Sequence, residues 1–159
     1  MKKRVYIETS IASYLAARPA RDLIRAARQQ LTREWWDSRR GDYDLYVSGI
    51  VLDEASEGDP DAARRRLEVL EGIPVLDARD EADELAEALV REGPLPQTAV
   101  DDAGHLALAT VHGMDFLVTW NCRHLANAEY FEGIATVVQA RGYKAPIICT
   151  PQELLGEPA

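Results

Sequence analysis

Four side chains in this sequence could hold a cation or move a proton: Glu8, Glu54, Asp102 and Asn121. Glu8 stands in Tyr6-Ile7-Glu8-Thr9-Ser10, directly after a short apolar run. As a carboxylate beside a helix N-terminus it would gain roughly 0.3–1 kcal/mol from the helix dipole. As a metal ligand at the edge of a sheet it would be held by a hydrogen bond from Ser10. Glu54 follows Ile50-Val51-Leu52-Asp53, and helical spacing turns it between Ile50 and Val51, toward the interior. An inward carboxylate is costly unless it meets a salt-bridge partner or a cation. Asp101 fits a capping pattern behind Thr98 and falls opposite the apolar face of Ala99, Ala103 and Leu106. Asp102, at the border of that face, is the better placed of the two to reach a cleft. Asn121 ends Thr119-Trp120-Asn121 and reads either as a loop or cap residue or as a weaker, uncharged oxygen ligand.

Other chemistry has less to stand on. His105 and His112 share the polar side of one helix and His124 comes in a later segment, so the three make no zinc set. His105, close to Asp102, is the one to test. Trp120 reads as packing before it reads as a base-stacking platform. The sequence has no G-x-S-x-G elbow, Walker loop or G-x-G-x-x-G. Arg21, Arg25 and Arg28 recur along one side of a helix, and Arg64-Arg65-Arg66 forms a second basic cluster. Either is a solvated face or a contact to an RNA backbone.

These positions need elements to place them. A strand Val5-Tyr6-Ile7 leads to Glu8, then come a helix from about Ser10 and a longer one from about Ala20 to Arg39. In the longer helix Leu23, Ile24, Ala27 and Leu31 share a face. Tyr46-Val47 is a second strand, with Ser48 capping the helix that carries Glu54. Gly58-Asp59-Pro60 breaks that helix, and Asp61 to Leu70 forms the next. A strand at 73–76, an acidic helix from about Asp80 to Arg91 and a loop at 93–96 follow. A helix from Ala99 to Val111 leads to the strand 116–119, and two short helices and a strand near Ile147-Ile148 end the pattern. Strands separated by helices, without hairpin signals, predict an α/β fold with a parallel sheet covered on both faces. In such sheets ligands bind beyond the carboxyl ends of the strands, where Glu8 and Asn121 fall.

The bulk numbers agree with one compact domain over 1–159. Of 159 residues, 47 % are apolar and 28 % charged, an ordinary globular balance. No apolar run approaches the roughly 20 residues that cross a membrane. Glu8 interrupts what would be the apolar core of a signal peptide behind Met1-Lys2-Lys3-Arg4, so a cytoplasmic location is expected. The two cysteines, Cys122 and Cys149, have no metal-type spacing and are expected to be reduced. A net charge of −9 argues against a protein that coats nucleic acid over its whole surface, though not against one local basic patch.

Taken in order, these residues resemble the PIN-domain family, most closely the VapC-type toxins of bacterial toxin–antitoxin pairs. The resemblance rests on Tyr6-Ile7-Glu8-Thr9-Ser10, the helix carrying Glu54, the run Asp102-Ala103-Gly104-His105-Leu106-Ala107 and the strand leading to Thr119-Trp120-Asn121. It spans nearly the whole chain. It implies a three-layer α/β/α domain with a short, mostly parallel central sheet. The implied activity is endoribonucleolytic: Glu8, Glu54 and Asp102 hold Mg²⁺ or Mn²⁺, with Asn121 at the fourth site position and Ser10, Thr119 and His105 in support. In-line attack of water would leave a 3′-hydroxyl and a 5′-phosphate. The implied partners are RNA, an antitoxin protein and a second copy of the chain. The family's usual set is Asp, Glu, Asp and a fourth acid, so Glu8 and Asn121 depart from it. Both changes weaken a second cation's binding more than the first's. They give weight to a second reading, a PIN-like module that binds RNA or protein without cutting.

Overall fold

A computed structural model describes residues 1–156; the last three residues of the expected 1–159 domain lie outside the described residues. Its centre is a five-stranded sheet in which every pairing is parallel. The strands are β1 (Lys3–Ile7), β2 (Tyr43–Ser48), β3 (Val75–Leu76), β4 (Phe116–Val118) and β5 (Ile147–Cys149), in the order β3-β2-β1-β4-β5. β1 lies in the middle, and its Val5, Tyr6 and Ile7 are wholly buried, as an uninterrupted apolar run in a doubly covered parallel strand must be. The chain winds outward from β1 through β2 and β3, then returns to the other side of β1 for β4 and β5. The direction of winding thus reverses between β1 and β4, and in parallel sheets the carboxyl edge at such a switch point is where ligands bind.

Seven α-helices flank the sheet among the described residues: α1 (Thr9–Ala16), α2 (Leu23–Arg39), α3 (Gly49–Ala55), α4 (Pro60–Leu70), α5 (Asp80–Arg91), α6 (Val100–Val111) and α7 (Phe131–Ala140). α1 packs on α2, α3 and α4, while α5 packs on α6 and α7. The starts of four helices follow from side-chain acceptors that satisfy free N–H groups: Glu8 for α1, Asp22 for α2, Ser48 for α3 and Asp59, ahead of Pro60, for α4. α5 buries Ala82, Leu85, Ala88 and Leu89 on one side and carries Asp80, Glu81 and Asp83 in its first turn, where the dipole favours acids. No described helix is long and apolar enough to cross a membrane.

The α/β class and parallel sheet are as expected from sequence, with several local differences. α2 begins at Leu23, not near Ala20, because Asp22 caps it, and Arg21 therefore lies outside the helix. Leu23 and Ile24 are 86 % and 66 % exposed and Ala27 is exposed too; the buried face of α2 is set by Thr32 and Trp35. β2 extends back to Tyr43, and β3 shrinks to two residues. Thr98 does not cap α6: a 3-10 turn at Gln97–Ala99 leads into it, and Ala99 holds the N-cap position without a side-chain bond. Cys122 is exposed, Cys149 buried, and the two are unpaired. Burial, with a smaller contribution from Glu153, pushes the Cys149 thiol up to about 12, so it is an inert core residue.

Candidate functional site

Glu8 follows β1 and Thr119 follows β4, and the direct pairing of these strands brings the two side by side. The Glu8 N–H donates to the Val118 carbonyl at 3.1 Å, which extends the ladder by one residue. The Glu8 carboxylate is only 6 % exposed, and a single oxygen, Oε1, accepts from the Ser10 N–H (3.1 Å), the Ser10 hydroxyl and the Thr119 hydroxyl (2.6 Å). Ser10 is itself fixed by the Trp120 N–H, 2.8 Å from its Oγ. The two readings of Glu8 thus coexist: it caps α1, and it is oriented by hydroxyls at the sheet's carboxyl edge.

Glu54 reaches the same place from α3. Its Oε1 accepts from the Thr9 hydroxyl and lies 2.6 Å from His105 Nε2. Burial works to raise this carboxyl, but the imidazole and the Thr9 hydroxyl outweigh it and hold the group below its ordinary value. His105 comes from α6 and is wholly buried, not on a polar face as helical spacing suggested. Burial opposes its charged form, and the hydrogen bond to Glu54 with the charges of Glu8, Glu54 and Asp102 more than offsets this, so its pKa is raised. On its other side, Nδ1 lies 2.6 Å from the Tyr6 hydroxyl, which lies 2.6 Å from Ser48 Oγ. Burial pushes the Tyr6 hydroxyl well above its usual range, so it stays neutral.

One ligand atom from each of Glu8, Glu54 and His105 lies within 4.8 Å of the other two. Asp102, expected as the third carboxylate of the site, belongs to a neighbouring group of hydrogen bonds. Its Oδ1 accepts from the Asn121 side-chain amide at 3.0 Å, and its Oδ2 lies 2.9 Å from His124 Nδ1. Asn121 Oδ1 accepts from the His124 N–H at 3.0 Å, folding the loop back onto itself. Thr119 joins the two groups, since its hydroxyl donates to Glu8 and its Oγ1 accepts from the Asn121 N–H at 2.9 Å. Asp101 is exposed, as the sequence predicts. His124 is the residue that sequence reasoning passed over. The one local signal for it is its place three residues after Asn121, the spacing at which an Asn side chain accepts a backbone N–H.

The donor set fits a hard divalent cation. Two buried or half-buried carboxylates converge, and no Lys or Arg forms an ion pair with either among the described residues.

Basic side chains lie on and beside the neighbouring α1, α2 and α4. Arg28 stacks on Trp120 at 5.2 Å and donates to the Tyr14 hydroxyl at 3.5 Å. Trp120 is 8 % exposed and its indole N–H donates to Thr32, so it packs and leaves no face for a base. Arg18, Arg25 and Arg66 line a recess of about 440 Å³ between α1, α2 and α4, with Ser13, Tyr14 and Gln29. None of these three forms an ion pair among the described residues, whereas Arg64 and Arg65 are paired with Asp61 and Arg64 also with Glu68. Arg21 does not line this recess.

No protein-family model matches the chain, and no curated protein does. Solved structures do. One is VapC20 of Mycobacterium tuberculosis, described as a sarcin-ricin loop cleaving toxin: TM-score 0.52, 22 % identity, 71 % of this chain and 86 % of that one. Another is VapBC2 of Rickettsia felis bound to a DNA fragment from its promoter: TM-score 0.58, 15 % identity, 92 % of this chain and 98 % of that one. The chain has the VapC fold. At these identities the likeness is one of architecture. Within it, the VapC-type sheet places Glu8 and Thr119 at the switch between β1 and β4, and α3 and α6 bring Glu54 and Asp102 toward that point.

Proposed function

We propose that this chain is a metal-dependent endoribonuclease, the toxin of a toxin–antitoxin pair, with Glu8 and Glu54 at its cation site and Asp102 and Asn121 beside them. The observation that carries the reading is the convergence of Glu8, Glu54 and His105 at the carboxyl edge of a VapC-type sheet. A bound Mg²⁺ or Mn²⁺ supplies Lewis acidity toward the phosphodiester and acidifies the attacking water. The chain's own part is placement. Ser10, Thr119 and Thr9 fix one oxygen of each glutamate and leave the other oxygen without a hydrogen-bond partner among the described residues. Asp102 is clamped by Asn121 and His124 in an orientation where its charge adds to the field of the site. Water would attack phosphorus in line and the bond to the 3′-oxygen would break, leaving a 3′-hydroxyl and a 5′-phosphate. No side-chain nucleophile is needed.

Arg25, Arg28 and the recess they adjoin support a path for the RNA backbone, with Arg21 a peripheral candidate. In EDTA, where no cutting occurs, Arg25→Gln/Arg28→Gln should weaken binding of single-stranded RNA and flatten its salt dependence. Each lost phosphate contact lowers the slope by about 0.7. An unchanged slope would make this a solvated face. The exposed Leu23, Ile24 and Ala27 are free for an antitoxin or a second copy of the chain.

The competing reading, a module that binds without cutting, is favoured by Asn121. Its amide donates to Asp102 at the position where a fourth acid would stand. Incubating a mixed RNA pool with Mg²⁺ or Mn²⁺, beside EDTA and Asp102→Asn, separates the two. Metal-dependent cleavage that the variant loses supports the nuclease. No cleavage by folded protein with either ion supports the binding module.

A further inference from the structure

We propose that His105 Nε2 is itself a ligand of the cation held by Glu8 and Glu54, so that the site is a two-carboxylate, one-imidazole centre that prefers Mn²⁺ to Mg²⁺. This rests on the cation site proposed above and assigns its third donor and its metal class.

The imidazole has the setting of a ligand. It is wholly buried, and its Nε2 faces the two glutamates within the 4.8 Å group. Asp102, the third acid expected there from sequence, has both oxygens engaged, with Asn121 and His124. A metal-bound histidine needs its other ring nitrogen oriented by a hydrogen-bond partner, which fixes the tautomer. Here that partner is Tyr6, whose hydroxyl oxygen lies 2.6 Å from Nδ1 and 2.6 Å from Ser48 Oγ; with a cation bound, Nδ1–H would donate to Tyr6 and the Tyr6 O–H to Ser48. In that arrangement Nε2 is free to carry a lone pair, and a cation would take the place of the proton that Nε2 otherwise shares with Glu54 Oε1 at 2.6 Å. Ser48 is in turn held as the N-cap of α3, the helix that carries Glu54. One chain of hydrogen bonds therefore sets two of the three donors.

The donor type decides the metal. Mg²⁺ takes oxygen ligands and parts reluctantly with its waters. An imidazole nitrogen suits first-row transition ions, and two carboxylates suit Mn²⁺. Replacing an oxygen donor with Nε2 thus shifts the preference toward Mn²⁺.

The test is pulsed electron paramagnetic resonance of the full chain loaded with Mn²⁺, read for nitrogen-14 modulation from a coordinated imidazole, with Mn²⁺ affinity measured by titration. The expected result is a nitrogen signal that His124→Gln/His112→Gln keeps and His105→Gln loses, together with an affinity loss of at least about 10–100-fold in the last. The double variant keeps the test decisive even if His105→Gln does not fold, because its remaining histidine is His105. Tight Mn²⁺ binding without a nitrogen signal, or a signal lost in the double variant, would overturn the inference and leave the glutamate site standing. No Mn²⁺ binding by folded protein would overturn both.

Discussion

Mn²⁺ at about one hundred times its dissociation constant should raise the unfolding temperature of the wild-type chain by roughly 5–10 °C, and that of Glu54→Gln hardly at all. A ligand at that excess stabilises the native state by about 2.7 kcal/mol, and a domain of this length gains about 2–4 °C per kcal/mol. The charge pattern explains why the effect belongs to this site. Glu8 and Glu54 converge with no lysine or arginine beside them among the described residues, and only His105 faces Glu54, so a divalent cation adds charge that the side chains there do not supply. Glu54→Gln keeps the shape and the bond from Thr9 but removes one of the two charges. Cleavage should fall by more than about 100-fold, since even residues one step removed from a metal change activity 10–100-fold. Thermal melts in Mn²⁺ and in EDTA check the first part. An equal shift in wild type and variant would mean that the ion binds elsewhere.

The second large effect is structural. Trp35 of α2 is wholly buried and packs on Trp36 and Tyr43, with ring centroids 6.3 and 5.9 Å away; Tyr43 in turn meets Phe116 of β4 edge-on at 6.3 Å. This aromatic row ties α2 to two strands of the sheet. Trp35→Ala should cost about 3–5 kcal/mol in denaturant unfolding, a large share of a total stability of about 5–15 kcal/mol. The indole N–H has no acceptor among the described residues, so Trp35→Phe removes no hydrogen bond and should cost far less. Equal losses for the two variants would show that the N–H, not the packing, matters.

What the sequence revealed and what it hid have physical causes. Glu8 was legible because a short apolar strand followed by an acid marks a sheet's carboxyl edge. Glu54 was legible because Ser48 announces the start of α3 and sets its helical phase. His105 was misplaced because phase arguments need a helix with a wet side. Residues 105–110 of α6 are all buried, so spacing could not tell polar face from core. α2 failed in the opposite sense: Leu23 and Ile24 have the periodicity of a core face, yet no described part of the chain covers them. The ends of β2 and β3 were hidden because partners, not propensity, decide how far short parallel strands extend. The His124 link to Asp102 depends on a loop fold that no periodicity encodes.

The position of β1 has a consequence for how the protein comes into being. The first strand made is the central one, and it pairs with β2 on one side and with β4, more than a hundred residues later, on the other. Contacts of such long range close late in folding. Until Phe116–Thr119 leaves the ribosome, β1 has an open edge, and Glu8 lacks both the carbonyl and the hydroxyl that orient it. No shorter N-terminal fragment can assemble the acidic centre, so a nascent chain lacks it until synthesis is well advanced.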